Sequence, residues 1–163
     1  MKGERSKEER EPPAFFVRPM TVADLGAVTA IESENPSPWT AGQLASERDQ
    51  DTGWQFVAEV GASGLVCGFV CGRSCGGEGE LLKISVALEH RRQGIAAQLV
   101  EYTLCYLGEQ GVDRCFLELR AANLPAFALY ERFGFRRVGL RKNYYASPLE
   151  DAILMEKKIL VGA

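Results

Sequence analysis

The sequence predicts a single α+β domain built as a mixed three-layer sandwich, and three observations carry that prediction. Apolar, strand-like runs at about 54–60, 65–72 and 79–87 are separated only by short glycine-rich segments, the pattern of an antiparallel meander. The last of these runs leads into a long amphipathic helix, from Gln93 to about Glu109, followed by another strand at 114–119; this is a βαβ unit, whose strands run parallel. Finally, 163 residues that are 46% hydrophobic and 25% charged suit one globular domain able to bury a core of its own.

The elements can be justified in order along the chain. Residues 1–13 (MKGERSKEEREPP) carry four positive and four negative side chains and no apolar cluster, so they are expected to be a disordered tail. Phe15–Arg18 reads as a short strand. Thr21 is a candidate N-cap for a helix to about Glu34, in which Leu25, Val28 and Ile31 recur at helical spacing. The NPSPW stretch at 35–39 breaks that helix, and Thr40 caps a second one through about Arg48. The Gly-Ala-Ser-Gly turn at 61–64 joins the first two meander strands, and the glycine-rich segment at 76–79 joins the last two. The long helix carries Ile95, Leu99, Tyr102 and Tyr106 on one side and ends near Gly108 and Gly111. Asn123 caps a helix to about Phe133, Gly134 stops it, and strands at about 135–140 and 150–159 complete the domain.

Charge and cysteine content narrow the function classes. A net charge of −3 argues against nucleic acid, whose binding surfaces show a basic excess, and is compatible with a basic peptide as partner. No apolar run approaches the length of a membrane span, and the N-terminus has no apolar signal core. Cys67, Cys71 and Cys75 are evenly spaced, which on a strand places them on one face. No second cluster or nearby histidine completes a metal set, and Cys105 and Cys115 fall on apolar faces of a helix and a strand. Five reduced thiols in a cytoplasmic protein, with no metal, is the expectation.

The segment 84–98, ISVALEHRRQGIAAQ, passes from strand through two arginines and Gly94 into the long helix. A glycine there lets backbone N–H groups approach a ligand, and the helix N-terminus adds partial positive charge, so the turn is suited to phosphate. It is neither a P-loop nor a dinucleotide fingerprint, because no GK[ST] follows and the G-x-G-x-x-G spacing is absent. Arg91-x-x-Gly94-x-Ala96 resembles the R/Q-x-x-G-x-G/A signature of the GNAT acetyltransferases. LELRAANLPAFALYERFGF (117–135) resembles that family's asparagine-opened helix ending in an A-x-x-x-Y-x-x-x-G-F pattern. KNYYASPLEDAILMEKKI (142–159) is similar to the bacterial ribosomal-protein-alanine N-acetyltransferases, in which an R/K-N-Y-Y loop precedes an E-D-A strand. The resemblance runs from about residue 15 to the end. It implies the GNAT fold over residues 14–163, with a mixed central sheet of about seven strands flanked by about four helices.

The resemblance also implies a chemistry. Acetyl-CoA would be the co-substrate, its pyrophosphate held at Arg91, Arg92, Gln93, Gly94, Ile95, Ala96 and Ala97. The strand Ile84, Ser85, Val86 would offer backbone groups to the thioester and pantetheine, with a bulge there splaying the strand from its neighbour. Asn123 would contact the coenzyme as well as cap its helix. Transfer to an amine needs a neutral nucleophile and a proton for the departing thiolate. A protein α-amine, with pKa about 7.7–8.0 against about 10.4 for lysine, is the easier nucleophile at neutral pH. The resemblance places Glu118 at the end of its strand facing the amine, as the base, often through water, while its neighbours Leu117 and Leu119 would point into the core; it places Tyr130 beside the coenzyme sulfur, as the acid. Tyr144, Tyr145 and Glu32 are expected on the substrate side, flanked by the 35–39 and 141–147 loops. His90, in the turn, is read as a loop residue. The implied reaction is direct attack by a protein's N-terminal amine, with an N-terminal alanine of a ribosomal protein as acceptor. Acetylation of a lysine or small amine is the second reading. A non-catalytic acyl-CoA sensor is the third; it would have shed the acid and base. Monomer and dimer remain equally open.

Overall fold

The computed structural model describes residues 14–159; the expected disordered tail at 1–13 lies outside the described residues, as do residues 160–163. The strands are β1 (Phe15–Pro19), β2 (Gly53–Val60), β3 (Leu65–Cys75), β4 (Glu78–Val86), β5 (Arg114–Arg120), β6 (Arg136–Ala146) and β7 (Leu149–Lys158), and the helices are α1 (Leu25–Glu32), α2 (Ala41–Arg48), α3 (Ile95–Glu109) and α4 (Leu124–Arg132). The strands form one sheet in the order β1-β2-β3-β4-β5-β7-β6. Every neighbouring pair is antiparallel except β4 and β5, which α3 connects as a parallel crossover.

Two apolar layers sandwich the sheet. Ile95, Leu99 and Leu107 of α3 and Tyr130 of α4 pack with Phe56, Val70, Leu117 and Met155 on one face. Val28 and Ile31 of α1 and Leu44 of α2 pack with Val57, Phe69 and Cys71 on the other. Leu99 and Leu107 are fully buried, and burial of such a side chain contributes about 1.5–3 kcal/mol. Gly72 is required by close approach: a Cβ there would lie 2.1 Å from the Trp54 ring and 2.2 Å from the Glu80 carbonyl oxygen.

Helix ends follow local chemistry. Thr40 accepts the Gln43 amide at 3.2 Å while Gln43 Oε1 accepts the Thr40 amide at 2.8 Å, a complete capping box. Asp24 accepts the Thr21 amide at 2.7 Å, and a tight 3-10 turn at Val22–Asp24 precedes α1, which therefore begins later than Thr21 suggests.

The sheet departs from regular alternation at four places, one of them a single-residue bulge at Val138 of β6, where Arg137 pairs with Met155 and Gly139 with Leu154. Opposite β2, Ala58 pairs with Gly68 and Glu59 with Val66, so Cys67 is an extra residue on β3. That bulge breaks the alternation on which a shared cysteine face depends. Cys67 joins the α3 layer, Cys71 the α1/α2 layer, and Cys75 is exposed. Cys105 is exposed as well, contrary to an apolar-face position; Cys115 is buried. Burial pushes the Cys71 and Cys115 thiols up to about 12. Opposite β3, Cys71 pairs with Lys83 and Gly72 with Leu81, which makes Leu82 a second bulge, just ahead of the Ile84–Val86 stretch where one was expected. In β6, Arg141 pairs with Ala152 but Tyr145 with Glu150, so residues 142–144 bulge outward. The expected 141–147 loop is thus a continuation of strand β6 as far as Ala146.

Candidate active site

The second bulge lies where the sheet splits. β4 and β5 are paired only from Glu78–Leu81 to Arg114–Leu117. Beyond that point β4 continues on β3 and β5 continues on β7, so their ends diverge. Extra twist at Leu82 accounts for the divergence, and a split between parallel strands leaves backbone N–H and C=O groups free for a ligand. The resulting cleft has a volume of about 510 Å³ and is lined among others by Trp39, Lys83, Ile84, Glu118, Asn123, Tyr130, Tyr144 and Tyr145.

The expected coenzyme residues divide between backbone and side-chain roles. After β4 a 3-10 turn at Leu88–His90 leads to Arg92 (φ 62°) and Gly94 (φ 81°), both left-handed, and then into α3. Left-handed residues at the start of a 15-residue helix turn successive amides toward one side, as a phosphate requires. A Cβ at Gly94 would meet nothing within 4 Å, so its backbone faces open space. These features fit the pyrophosphate of acetyl-CoA. Arg91 Nε donates to the Val86 carbonyl at 2.9 Å, tying the turn back to the strand, and Arg92, Gln93 and Gly94 are exposed. Ile95 is 1% exposed and buries its side chain in the α3 layer, so only its backbone can reach a ligand; Ala96 and Ala97 are half-buried. Ser85 and Val86 are buried, and the Ser85 hydroxyl accepts from Asn35 Nδ2 at 2.8 Å. Asn123 Oδ1 accepts the Ala126 amide at 3.3 Å, capping α4 while lining the cleft. His90 is half-buried with its ring edge toward Phe15.

Glu118 and Tyr130 approach the cleft from opposite sides. Leu117 and Leu119 are buried in the α3/α4 layer, so strand alternation turns Glu118 to the other face. Its carboxylate pairs with Arg141 Nε at 3.3 Å, and its proximity raises the Tyr144 phenol above its ordinary range. Tyr130 is 4% exposed, its ring edge against Phe135 with centroids 5.5 Å apart. Burial pushes its phenol up, so the hydroxyl stays protonated at neutral pH. A carboxylate on one side of a cleft and a protonated phenol on the other can respectively accept and supply a proton.

The third expected substrate residue is placed elsewhere. Glu32 is 0% exposed, and its carboxylate receives Lys83 Nζ at 2.7 Å, the Trp39 amide at 3.1 Å and Asn35 Nδ2 at 3.2 Å. It anchors the 35–39 loop and has no exposed surface to offer a substrate cation. Tyr144 and Tyr145 do line the cleft, ring edge to face at 5.1 Å. Sequence reasoning passed over Lys83, Asn35 and Trp39. One signal existed for the first: a lone lysine within the apolar run LLKISV marks a charge that needs a buried partner. Among the described residues, no group of three or more His, Cys, Asp or Glu side chains could hold a metal, and no helix is long and apolar enough to cross a membrane.

Comparison with known proteins agrees with this fold. Residues 25–135 match the model of the Acetyltransferase (GNAT) family. The chain is 32% identical over 139 residues to the [ribosomal protein bS18]-alanine N-acetyltransferase of Escherichia coli K12, covering 83% of this chain and 92% of that protein. It is 39% identical over 83 residues to an N-alpha-acetyltransferase of Saccharolobus solfataricus, covering 50% of this chain and 49% of that one. The crystal structure of the E. coli ribosomal-protein-S18-alanine N-acetyltransferase superimposes with a TM-score of 0.84 at 30% identity, over 92% of this chain and 97% of that one.

Proposed function

The chain belongs to the GNAT acetyltransferase family and is an acetyl-CoA-dependent N-acetyltransferase, and from that premise we propose that it acetylates the N-terminal α-amine of a protein, with an N-terminal alanine of a ribosomal protein as acceptor. The observation that carries this reading is the pairing of Glu118 and Tyr130 across one cleft, walled by Tyr144 and Tyr145 on the acceptor side. The relatives named above supply the acceptor class: two of them act, by name, on ribosomal alanine and on α-amines. Cytoplasmic residence is part of the same proposal.

When bound, acetyl-CoA supplies an acetyl carbon activated as a thioester. The residues of the 91–97 turn hold its pyrophosphate through backbone amides, and the free edge of β4 at Ile84–Val86 runs beside its pantetheine arm. Glu118 accepts the proton released as the amine nitrogen bonds to the acetyl carbon. Tyr130 Oη delivers its proton to the sulfur as the carbon–sulfur bond breaks. No cysteine lines the cleft, which supports direct transfer rather than passage through an acylated enzyme thiol. An α-amine needs only a modest base at neutral pH, and a carboxylate paired with Arg141 at the cleft suits that task.

The test uses acetyl-CoA with two peptides, one with a free N-terminal alanine and no lysine, the other blocked at its N-terminus and containing lysine. Mass spectrometry should find the first acetylated. Modification of the blocked peptide alone would overturn the α-amine reading in favour of a lysine acetyltransferase.

A further inference from the structure

Arg120 ends β5 at the rim of the cleft, and its guanidinium joins two segments that are distant in sequence. Nη1 donates to the Pro148 carbonyl at 3.1 Å, and Nη2 donates to the Ser147 carbonyl at 3.2 Å and to Ser37 Oγ at 3.3 Å. The Ser37 hydroxyl in turn donates to the Ser147 carbonyl. The centre of the guanidinium lies 4.3 Å from the centroid of the Tyr145 ring. Ser37 belongs to the 35–39 loop, one wall of the cleft, and Tyr145 to the opposite wall; Ser147 and Pro148 form the turn between β6 and β7.

We infer that Arg120 is a positioning residue for the acceptor: it straps the 35–39 loop to the β6–β7 turn and so sets the width of the cleft above Glu118. The inference rests on the reading of this cleft as the acceptor site. Both segments are exposed at Ser37, Ser147 and Pro148, and exposed loops with few apolar contacts open at low cost unless tied. A planar guanidinium can bond two carbonyls and a hydroxyl while its face lies on an aromatic ring, which a lysine ammonium cannot do. Arg120 is near the reacting groups in sequence but works through the walls. Its loss should therefore fall on acceptor binding and leave the coenzyme turn at 91–97 untouched.

The experiment compares wild type, Arg120→Ala and Arg120→Lys in steady-state kinetics with acetyl-CoA and the free-alanine peptide. Arg120→Ala should raise the peptide KM about tenfold, the loss of roughly one charged hydrogen-bond set at a partly exposed site. The KM for acetyl-CoA and kcat should stay within roughly twofold of wild type. Arg120→Lys should keep most of the defect; full rescue by lysine would overturn the requirement for the fork and the stacking. An unchanged peptide KM, or a parallel decline of both KM values and kcat with melting temperature, would also overturn the inference. Amide hydrogen exchange needs no turnover and so separates this inference from the acceptor reading. In Arg120→Ala, amides at 35–39 and at 145–149 should exchange faster together; acceleration of only one segment, or of neither, contradicts a strap.

Discussion

Glu118 and Tyr130 reach one cleft from opposite faces of the sheet, and each meets a different environment. Glu118 is half-buried and paired with Arg141, beside the Tyr144 phenol. Glu118→Gln preserves the shape and removes the basicity, so turnover should fall by about 10²–10⁴ with acetyl-CoA affinity unchanged, measured by kinetics beside calorimetric binding. Tyr130→Phe keeps the ring against Phe135 and removes only the hydroxyl. It should lower turnover by about a hundredfold without weakening coenzyme binding, whereas equal losses in both would make the residue structural. Because burial raises the phenol, its proton remains available as pH rises, and wild-type turnover should show no decline from phenol ionisation below about pH 10. That both line this cleft was legible in the sequence, through the family resemblance, with strand alternation beside Leu117 and Leu119 turning Glu118 away from the core. Glu32 was not, because a carboxylate in mid-helix looks solvated until its partner, 51 residues on at Lys83, is known.

At the scale of elements, α1, the 35–39 loop and β4 act as one unit through the Glu32–Lys83 pair. Glu32 is completely buried, and Lys83 also lies over the Trp39 ring at 5.2 Å. Lys83→Met would leave an uncompensated carboxylate in the α1/α2 layer. It should destabilise the protein by about 3–5 kcal/mol, read as a clear drop in the denaturant midpoint; a change below about 1 kcal/mol would show that the pair is expendable. The strands and helices themselves were readable from periodicity and caps, with Thr40 and Asn123 opening α2 and α4 as their side chains suggest. The bulges at Cys67 and 142–144 were not, and the one expected through the family resemblance at Ile84–Val86 falls at Leu82. A bulge is a mismatch between two strands, and nothing within Val66–Gly68 alone reveals that Glu59 and Ala58 skip a residue opposite it. The same limit turned an expected loop at 141–147 into a bulged strand, and it put Cys67 and Cys71 on different faces.

Across the whole molecule, function follows from one asymmetry in an otherwise continuous seven-stranded sheet. The parallel β4–β5 pair, created by the α3 crossover, holds together for four residues on each strand and then parts. The 91–97 turn leads into α3, on the layer that also contains Tyr130, while Glu118 points to the other face of the sheet and lines the cleft with Tyr144 and Tyr145. A single cleft can thus take an acyl donor from one side and an amine from the other. The family motifs at 91–97 and 117–135 pointed to the fold that makes this cleft; the width of the opening depends on contacts between segments, such as those of Arg120, that no local pattern encodes. The most direct measurement is a crystal structure with a stable conjugate joining coenzyme A to an N-terminal alanine peptide through an acetyl linker. The account predicts the pyrophosphate on the amides of the 91–97 turn, the coenzyme sulfur within hydrogen-bond reach of Tyr130 Oη, and the alanine nitrogen beside Glu118. A conjugate whose linker lies outside the β4–β5 split, or whose peptide leaves Glu118 unapproached, would contradict it.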